Sequence, residues 1–436
     1  MIGKETAEHK CPQCGNRLEY IEKYDAWYCK SCKDYREIKE NSSTKSDVPS
    51  VVPSSSTGAQ ERCFICLGFI KDESEYFECE CGNISHESCA RRVGKCSACG
   101  KEYTPENFLE SKDFFKLIEN GKAAFNQENY DDALSWYNRA LKIRSNSAYA
   151  WNCKGIALAQ EKEFNEAIDC YDKAIELRKS HVACYNKAVT LLKMNMLKES
   201  LDCINEAISI ELNDGRSWYV KGYTLSKMRM PRIAIRCYDK ALDLTPENNL
   251  FWYGKGVALM NLGRLDESLE CYETALEINP NYAEVLGAKG LLLEKKNALD
   301  KALECYNSAI KIKPSYRMAW YKKGMILAKN GESLKAIESF DKVLELNPED
   351  ANALYERGRL LAAENRINEA IECFDKGLEL NPESIPFWFE KGKALMKANK
   401  NNEAIKAFDE VLKREPKHIG ACQEKANALK NIEMRG

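Results

Sequence analysis

The sequence predicts an all-α solenoid of helical hairpins, preceded by two small zinc-stabilised domains. A glycine recurs every 34 residues through most of the chain, a small residue follows it after twelve positions, and an aromatic ring usually follows after sixteen. Self-similarity at a period of this size is typical of stacked repeats in which each unit buries a face of its neighbour. The glycines are Gly121, Gly155, Gly222, Gly256, Gly290, Gly324, Gly358 and Gly392, with Ala188 at the equivalent position of the third unit.

One unit illustrates why this pattern predicts two helices. Trp252 and Gly256 are four residues apart and share one face of a first helix, and Ser268 and Tyr272 share one face of a second. Between them, Gly263 can adopt the positive φ that ends a helix without a side-chain clash. We expect the small residues to let the two helices approach closely, and the ring to fill the space that they leave.

Tryptophans before the glycines and prolines at the ends of the units complete the pattern, which resembles the tetratricopeptide repeat. We expect the array to occupy residues 104–436, with about nine repeats between residues 114 and 418 and a capping helix at 419–434. The resemblance implies a right-handed superhelix whose concave face binds an extended peptide or a helix of a partner protein, without catalysis. The prolines are Pro246, Pro280, Pro314, Pro348, Pro382 and Pro416.

The third unit departs from the pattern in several places. It has Ala188 for the glycine and Ile204 for the aromatic residue, and no proline ends it. Its distance from the preceding unit is 33 residues instead of 34. We expect the missing residue in the connection at residues 177–181.

The residue after each tryptophan position is often aromatic, and we call this set the tyrosine row. In the repeat family this position tends to face the concave groove. Tyrosines offer apolar area and a hydroxyl at low entropy cost, which suits peptide capture, but the rings could equally pack on the next unit. The row is Tyr185, Tyr219, Tyr253, Tyr321, Tyr355 and Phe389.

Two further rows accompany the repeat. The residue before each glycine is basic, and we expect its charged head to reach solvent or the acidic residues of a neighbouring helix rather than form a track for an anionic ligand. Cysteines recur at one position of the second helices, one repeat apart, which is too far for a disulfide, so we expect packing residues. The basic row is Lys154, Lys187, Lys221, Lys255, Lys289, Lys323, Arg357 and Lys391, and the cysteines are Cys170, Cys203, Cys237, Cys271, Cys305 and Cys373.

Residues 1–40 resemble a zinc ribbon. Cys11 and Cys14 form one C-x2-C pair and Cys29 and Cys32 a second, a spacing that lets four thiolates bind one zinc ion tetrahedrally. Such a small segment has too little core to fold without metal, so folding and zinc binding are one event. Leu18, Tyr20, Trp27 and Tyr28 are predicted to lie in flanking strands. Residues 41–60 are rich in Ser, Thr, Pro and Val without periodicity, which predicts a disordered linker.

Residues 61–103 carry eight more potential ligands and resemble a RING-type finger with two zinc ions. On that resemblance one site has Cys63, Cys66, His86 and Cys89, and the other Cys79, Cys81, Cys96 and Cys99. The spacing between Cys81 and His86 departs from the family, so sequential pairing, with the first four cysteines as one site, remains an alternative.

The two fingers leave two alternatives to a non-catalytic scaffold. RING-type fingers often recruit a ubiquitin-conjugating enzyme, and Ile65 matches an apolar contact residue of that surface. Ser97 and Gly100 stand where such ligases have a proline and a basic residue, which makes ligase activity the minority hypothesis. Nucleic-acid binding through the ribbon is disfavoured, because residues 1–40 carry eight basic and eight acidic residues and 61–102 carry six and eight.

Composition adds no catalytic motif and no membrane segment. The formal net charge of the 436 residues is -2, and the N-terminal residues contain neither an apolar run nor a signal-peptide pattern. Eleven of the twenty cysteines lie in the first 99 residues at metal-type spacings, which favours a reducing compartment over a disulfide scaffold. We therefore expect a cytoplasmic adaptor that binds one protein in the repeat groove and possesses a second protein-binding surface on the fingers, away from membranes.

The first prediction concerns metal content. We expect three zinc ions per chain, because twelve cysteine and histidine ligands suffice for three tetrahedral sites. Elemental analysis of the intact, purified protein measures this stoichiometry directly. A preparation that contains no zinc, or a single ion per chain, contradicts the prediction.

Overall fold

The structure is a computed structural model that describes five short strands and the continuous stretch 105–434, with side chains described for 113–434. Three strands form one antiparallel sheet in the order β1-β2-β3, in which Tyr20 pairs with Trp27 and Tyr28 with Tyr35, and β4 and β5 form a second. The strands predicted at Tyr20, Trp27 and Tyr28 are confirmed. The strand bounds are β1 (Glu19–Ile21), β2 (Ala26–Cys29), β3 (Asp34–Arg36), β4 (Tyr76–Glu78) and β5 (Ile84–His86).

The predicted zinc ligands lie outside the described residues, except for the backbones of two. Cys29 is the last residue of β2 and His86 the last of β5. The three zinc ions and the two finger domains therefore stay predictions.

The described stretch 105–434 forms nineteen helices, and the chain divides into two compact units, Met1–Gly263 and Arg264–Gly436. The first unit contains α1 (Pro105–Asn126), α2 (Tyr130–Ile143), α3 (Ala148–Gln160), α4 (Phe164–Leu177), α5 (His181–Lys193), α6 (Leu197–Ile210), α7 (Gly215–Lys227), α8 (Pro231–Leu244) and α9 (Asn249–Asn261). The second contains α10 (Leu265–Ile278), α11 (Ala283–Lys295), α12 (Leu299–Ile312), α13 (Arg317–Lys329), α14 (Ser333–Leu346), α15 (Ala351–Ala363), α16 (Ile367–Leu380), α17 (Ile385–Lys397), α18 (Asn401–Arg414) and α19 (Ile419–Glu433).

Within each unit a first helix packs against the second helix of its own hairpin, and that second helix packs against the next first helix. The first helix begins at Pro105, and the last, α19, begins at Ile419. The short connection is where the sequence predicts it. Only three residues, 178–180, separate α4 from α5, whereas four separate α2 from α3 and α6 from α7.

Contact between glycine and ring determines how closely the two helices of a hairpin approach. A methyl group added at Gly358 would lie 2.6 Å from Cε1 of Phe374, and one at Gly290 would lie 2.6 Å from the same atom of Tyr306. Both rings are fully buried. The predicted role of the ring, to fill the space above the small residues, is thus confirmed.

The third unit compensates for its missing glycine. Ala188 adds the methyl group that would collide with a ring, and Ile204 replaces the ring with a smaller side chain. Both residues are fully buried. The hydroxyl of Ser200 donates to the backbone carbonyl of Ala188 at 2.8 Å, so its polar atom is satisfied inside the hairpin.

Glycines in the turns and hydrogen bonds from the repeat tryptophans fix the segments between helices. Gly263 has φ +77° and Gly331 has φ +80°, which confirms the turn predicted at Gly263. Each repeat tryptophan donates its Nε1 hydrogen to the carbonyl six residues earlier, for example Trp320 to Pro314 at 2.9 Å and Trp388 to Pro382 at 2.8 Å. The tryptophan therefore holds the connection that precedes its own helix.

A double-mutant cycle at the glycine and ring tests this packing. We expect Gly358→Ala to lower the free energy of unfolding by about 1–3 kcal/mol, because its methyl group overpacks against Phe374. In the Phe374→Ile background, we expect Gly358→Ala to lower the free energy of unfolding by less than it does alone, with a difference of about 1 kcal/mol or more, because alanine and isoleucine together reproduce the pair of the third unit. Urea unfolding of the four proteins measures the coupling, and strictly additive losses would show that the two positions do not compensate.

Candidate binding groove

The structure divides the tyrosine row into two groups. Tyr185 and Tyr219 are 7% and 5% exposed, so neither ring offers a partner much surface. Tyr219 stacks on Phe251 at 5.1 Å between ring centroids and contacts Tyr238 at 5.6 Å. Burial raises the pKa of Tyr185 to about 12, so its hydroxyl stays protonated at neutral pH. These two rings pack between hairpins.

The remaining members of the row, Tyr253, Tyr321, Tyr355 and Phe389, are half-buried. Tyr321 contacts Phe340 edge to face at 5.6 Å, and Tyr355 contacts Phe387 in the same way at 5.5 Å. Burial first, and then nearby carboxylates, raise the pKa of both hydroxyls. The hydroxyls of Tyr321 and Tyr355 therefore stay protonated at neutral pH, and partner binding by the row stays a prediction.

The side chains of the basic row, which precede the repeat glycines, interact with other side chains of the protein. Lys255 Nζ lies 2.7 Å from Asp239, and Arg357 Nε lies 2.6 Å from Asp341 on the preceding second helix. Lys323, without such an ion pair in the described stretch, lies over the ring of Trp320 at 5.2 Å. The prediction that these heads reach neighbouring acidic residues is confirmed for five of the eight cations, which pair with acidic residues of the preceding second helix: Lys187, Lys255, Lys289, Arg357 and Lys391. Lys154 and Lys221 lie over tryptophan rings as Lys323 does. The five ion pairs form a ladder between hairpins.

The cysteines of the array are free thiols. Cys170, Cys237, Cys271 and Cys373 are 2–5% exposed, and Cys203 and Cys305 are partly buried. Burial raises the pKa of Cys170 to about 11 and keeps it in the thiol form. The predicted packing role is confirmed.

A groove of about 920 Å³ lies in the second unit, among the first helices α11, α13, α15 and α17. Tyr321 is the member of the tyrosine row that lines it. Met325 on α13 is 37% exposed and provides apolar surface, together with Leu360 and Ala363 of α15. Most of its lining residues come from the first helices of their hairpins, and binding of a partner by this face stays a prediction.

Three ion pairs lie along the groove, each between a glutamate and a nearby cation. Arg359 Nη1 lies 3.2 Å from Glu356 on the same helix, and Lys393 Nζ lies 3.1 Å from Glu390. The third pair joins two helices, with Lys322 Nζ 3.2 Å from Glu294. The hydroxyl of Tyr306 also donates to Glu294, so that carboxylate is held from two sides.

Tyr321 is the one lining residue of the groove that the sequence predicted; among the residues it did not identify are Met325, Lys329, Arg359, Lys393 and Lys397. Arg359 and Lys393 immediately follow the repeat glycines Gly358 and Gly392, so their position in the repeat could have identified them as groove residues. Lys329 and Lys397 lie in the last turns of their helices, where a cation also suits the helix dipole, so the sequence did not distinguish a groove position.

These features define a helical-hairpin repeat protein with a groove among its first helices. The chain belongs to the tetratricopeptide repeat family. Sequence models described as tetratricopeptide repeat match residues 148–181, 182–214, 215–248, 250–282, 271–304, 321–385 and 385–418, and one described as TPR repeat matches residues 121–162 and 290–331.

Part of the chain is similar to curated proteins of larger size. It is 30% identical over 96 residues to the peroxisomal targeting signal receptor of Candida albicans, which covers 22% of this chain and 16% of that protein. It is 26% identical over 120 residues to sperm-associated antigen 1 of Homo sapiens, or 27% of this chain and 13% of that protein. The chain therefore spans about a sixth or less of the length of these relatives.

Solved structures of repeat proteins are also similar. YrrB, described as a TPR protein with an unusual peptide-binding site, has 26% identity and a TM-score of 0.36 and covers 43% of this chain and 97% of its own. A tetratricopeptide repeat protein from Parabacteroides merdae has 13% identity and a TM-score of 0.48, covering 57% and 99%. Within the described ranges, no helix has both the length and the apolarity to cross a membrane.

The two groups of the tyrosine row should respond differently to truncation. We expect Tyr219→Ala to lower the free energy of unfolding by about 3 kcal/mol or more, because it removes a fully packed ring. Tyr321→Ala should cost less than half as much, since its ring is half-exposed. Urea unfolding of both variants measures the difference, with Tyr219→Phe as the control for the hydroxyl. Equal losses at the two positions would contradict the division of the row.

Proposed function

We propose that this protein is a non-catalytic scaffold whose groove in the second unit binds a peptide or helix of a partner protein. The observation that carries the proposal is the groove itself, because it combines exposed Met325 with fixed polar groups on rigid helices. Ligand sites of this kind are concave and largely pre-formed, with a few polar groups that fix orientation.

Several features support recognition rather than a reaction. The ion pairs of the groove hold their charged groups against one another, and Tyr321 and Tyr355 keep their protons because burial and nearby carboxylates raise their pKa. The tetratricopeptide repeat itself and the similarity to a targeting signal receptor both favour a binding function. The chemical class of the ligand is determined by the residues that line the groove.

We further propose that the N-terminal hundred residues act as zinc-bound interaction modules in a cytoplasmic protein. Thiolate and imidazole donors at these spacings fit zinc, and the three-stranded sheet that ends at Arg36 supplies strands around the first two pairs. Cys11, Cys14, Cys29 and Cys32 would hold one ion, and the eight ligands from Cys63 to Cys99 two more. Zinc would stabilise these folds and take no part in catalysis.

A matched pair of variants of the full chain tests the groove. Met325→Asp places a charge on the apolar surface of the groove, and Leu334→Asp makes the same change at an exposed leucine of α14 outside it. Both side chains are exposed, so we expect each melting temperature to stay within about 3 °C of the parent. Met325→Asp should reduce capture of at least one partner protein from native extract by about ten-fold, whereas Leu334→Asp should not.

Quantitative mass spectrometry of the captured proteins provides the measurement. Identical partner sets for the parent and Met325→Asp would show that the groove is not where partners bind. Loss of the same partners with Leu334→Asp would point to a nonspecific effect of surface charge.

A further inference from the structure

We infer that the groove of the second unit selects an acidic segment of its partner protein, with carboxylate side chains next to apolar ones. This inference rests on the proposed function and specifies the chemistry of the ligand. The groove is lined by five cationic side chains and three acidic ones, a balance of plus two, although the whole chain has a formal net charge of -2. The charge facing the ligand thus differs in sign from the charge of the molecule.

The exposure of the paired groups strengthens this asymmetry. Glu356 and Glu390 have side chains that are 19% and 15% exposed, whereas their partners Arg359 and Lys393 are 50% and 42% exposed. The carboxylates therefore lie beneath the cations. A ligand in the groove meets the guanidinium and ammonium groups first, because these groups project farther into the solvent-filled space.

Lys329 and Lys397 add two further positive charges to the groove. Among residues 113–434, neither lysine forms a salt bridge with a carboxylate. Lys397 on α17 donates instead to the carbonyl of Ala362 on α15 at 2.8 Å, so its amine reaches across the groove rather than to the end of its own helix. A cation in this position can pair with a carboxylate supplied by a ligand.

The apolar part of the groove indicates that the ligand is more than a free anion. Met325 is 37% exposed and lines the groove together with Leu360, Ala328 and Ala363. An apolar side chain on the ligand would cover this surface and remove it from water. A protein segment with both acidic and apolar side chains would contact both the cationic and the apolar surfaces of the groove.

Single-stranded nucleic acid fits the groove less well, although it is also anionic. Its bases bind by stacking on exposed aromatic faces. Within the described stretch, Tyr321 is the one aromatic residue that lines the groove, so successive bases would find a single ring there. The cationic and apolar side chains of the groove therefore suit a protein segment better than a strand of stacked bases.

Three synthetic fluorescent dodecapeptides test the inference on the full chain. They share leucines at the same positions and differ only in having Glu, Gln or Lys at all others. We expect the Glu peptide to bind about ten-fold or more tightly than the Gln peptide in fluorescence anisotropy, and the Lys peptide not to bind. Affinity for the Glu peptide should fall between about 50 and 300 mM salt.

Two double variants locate the contact. Lys329→Gln with Lys397→Gln should weaken the Glu peptide by about five-fold and leave the Gln peptide unchanged. The matched control is Lys376→Gln with Lys406→Gln, which removes two exposed lysines of α16 and α18 outside the groove. We expect the control to change affinity by less than about two-fold, and melting curves should show that both variants are folded.

Each other outcome overturns the inference. Equal affinities for the Glu and Gln peptides, or equal losses in the two double variants, would show that groove charge does not select the ligand. Tighter binding of an oligouridine of equal length than of the Glu peptide would assign the groove to nucleic acid. If no peptide binds but Met325→Asp still reduces partner capture, the inference fails and the proposed function stands. If Met325→Asp also leaves capture unchanged, both fail.

Discussion

In seven hairpins, the close approach of a glycine to a buried ring determines the distance between the two helices. At Gly358 and Gly392 an added methyl group would lie 2.6 and 2.5 Å from the ring that packs there, so only hydrogen leaves the ring enough room. The rings of Phe374 and Phe408 are fully buried as a result. Interiors packed this closely tolerate little change in volume. This contact positions every other side chain of the first helix.

Three consecutive residues show how it does so. Arg357 pairs with Asp341 of the preceding hairpin, Gly358 lies under Phe374 of its own hairpin, and Arg359 lines the groove. An α-helix turns by about 100° per residue, so neighbours in sequence face three different directions. Once the glycine is fixed against its ring, the ladder and the groove must lie on either side. The binding surface therefore depends on the packing of a residue that no ligand touches.

Sequence periodicity predicted the parts of this arrangement that follow from one helix or one hairpin. The nine-repeat register, the positive φ at Gly263, the short connection before His181 and the ladder of Lys255 and its equivalents all depend on spacing alone, and the structure has them. Compensation at Ala188 and Ile204 could also have been predicted, since both departures fall at the positions where a glycine and a ring meet in seven other repeats.

Exposure along the tyrosine row could not be predicted in the same way. Tyr219 and Tyr355 occupy equivalent positions, and each contacts a phenylalanine of the next hairpin, Phe251 or Phe387. Tyr219 also contacts Tyr223, whereas the residue equivalent to Tyr223 in the other unit is Arg359, whose guanidinium projects into the groove. One ring is buried and the other half-buried, and their neighbours differ at this position. Burial here depends on side chains from several helices, which a period does not encode.

The pairing within the groove also limits how strongly it can bind. Each glutamate lies three residues before its cation on α15 and α17, so the pair is held on one helix face without help from a ligand. A cation that already has a carboxylate partner gains less from a second one. Lys329 and Lys397 have no carboxylate partner among residues 113–434, so they should contribute more to affinity than Arg359 or Lys393. The paired cations repel positively charged ligands. The five cationic side chains of the groove therefore divide into those without a carboxylate partner in the described stretch, which contribute affinity, and the paired ones, which contribute selectivity.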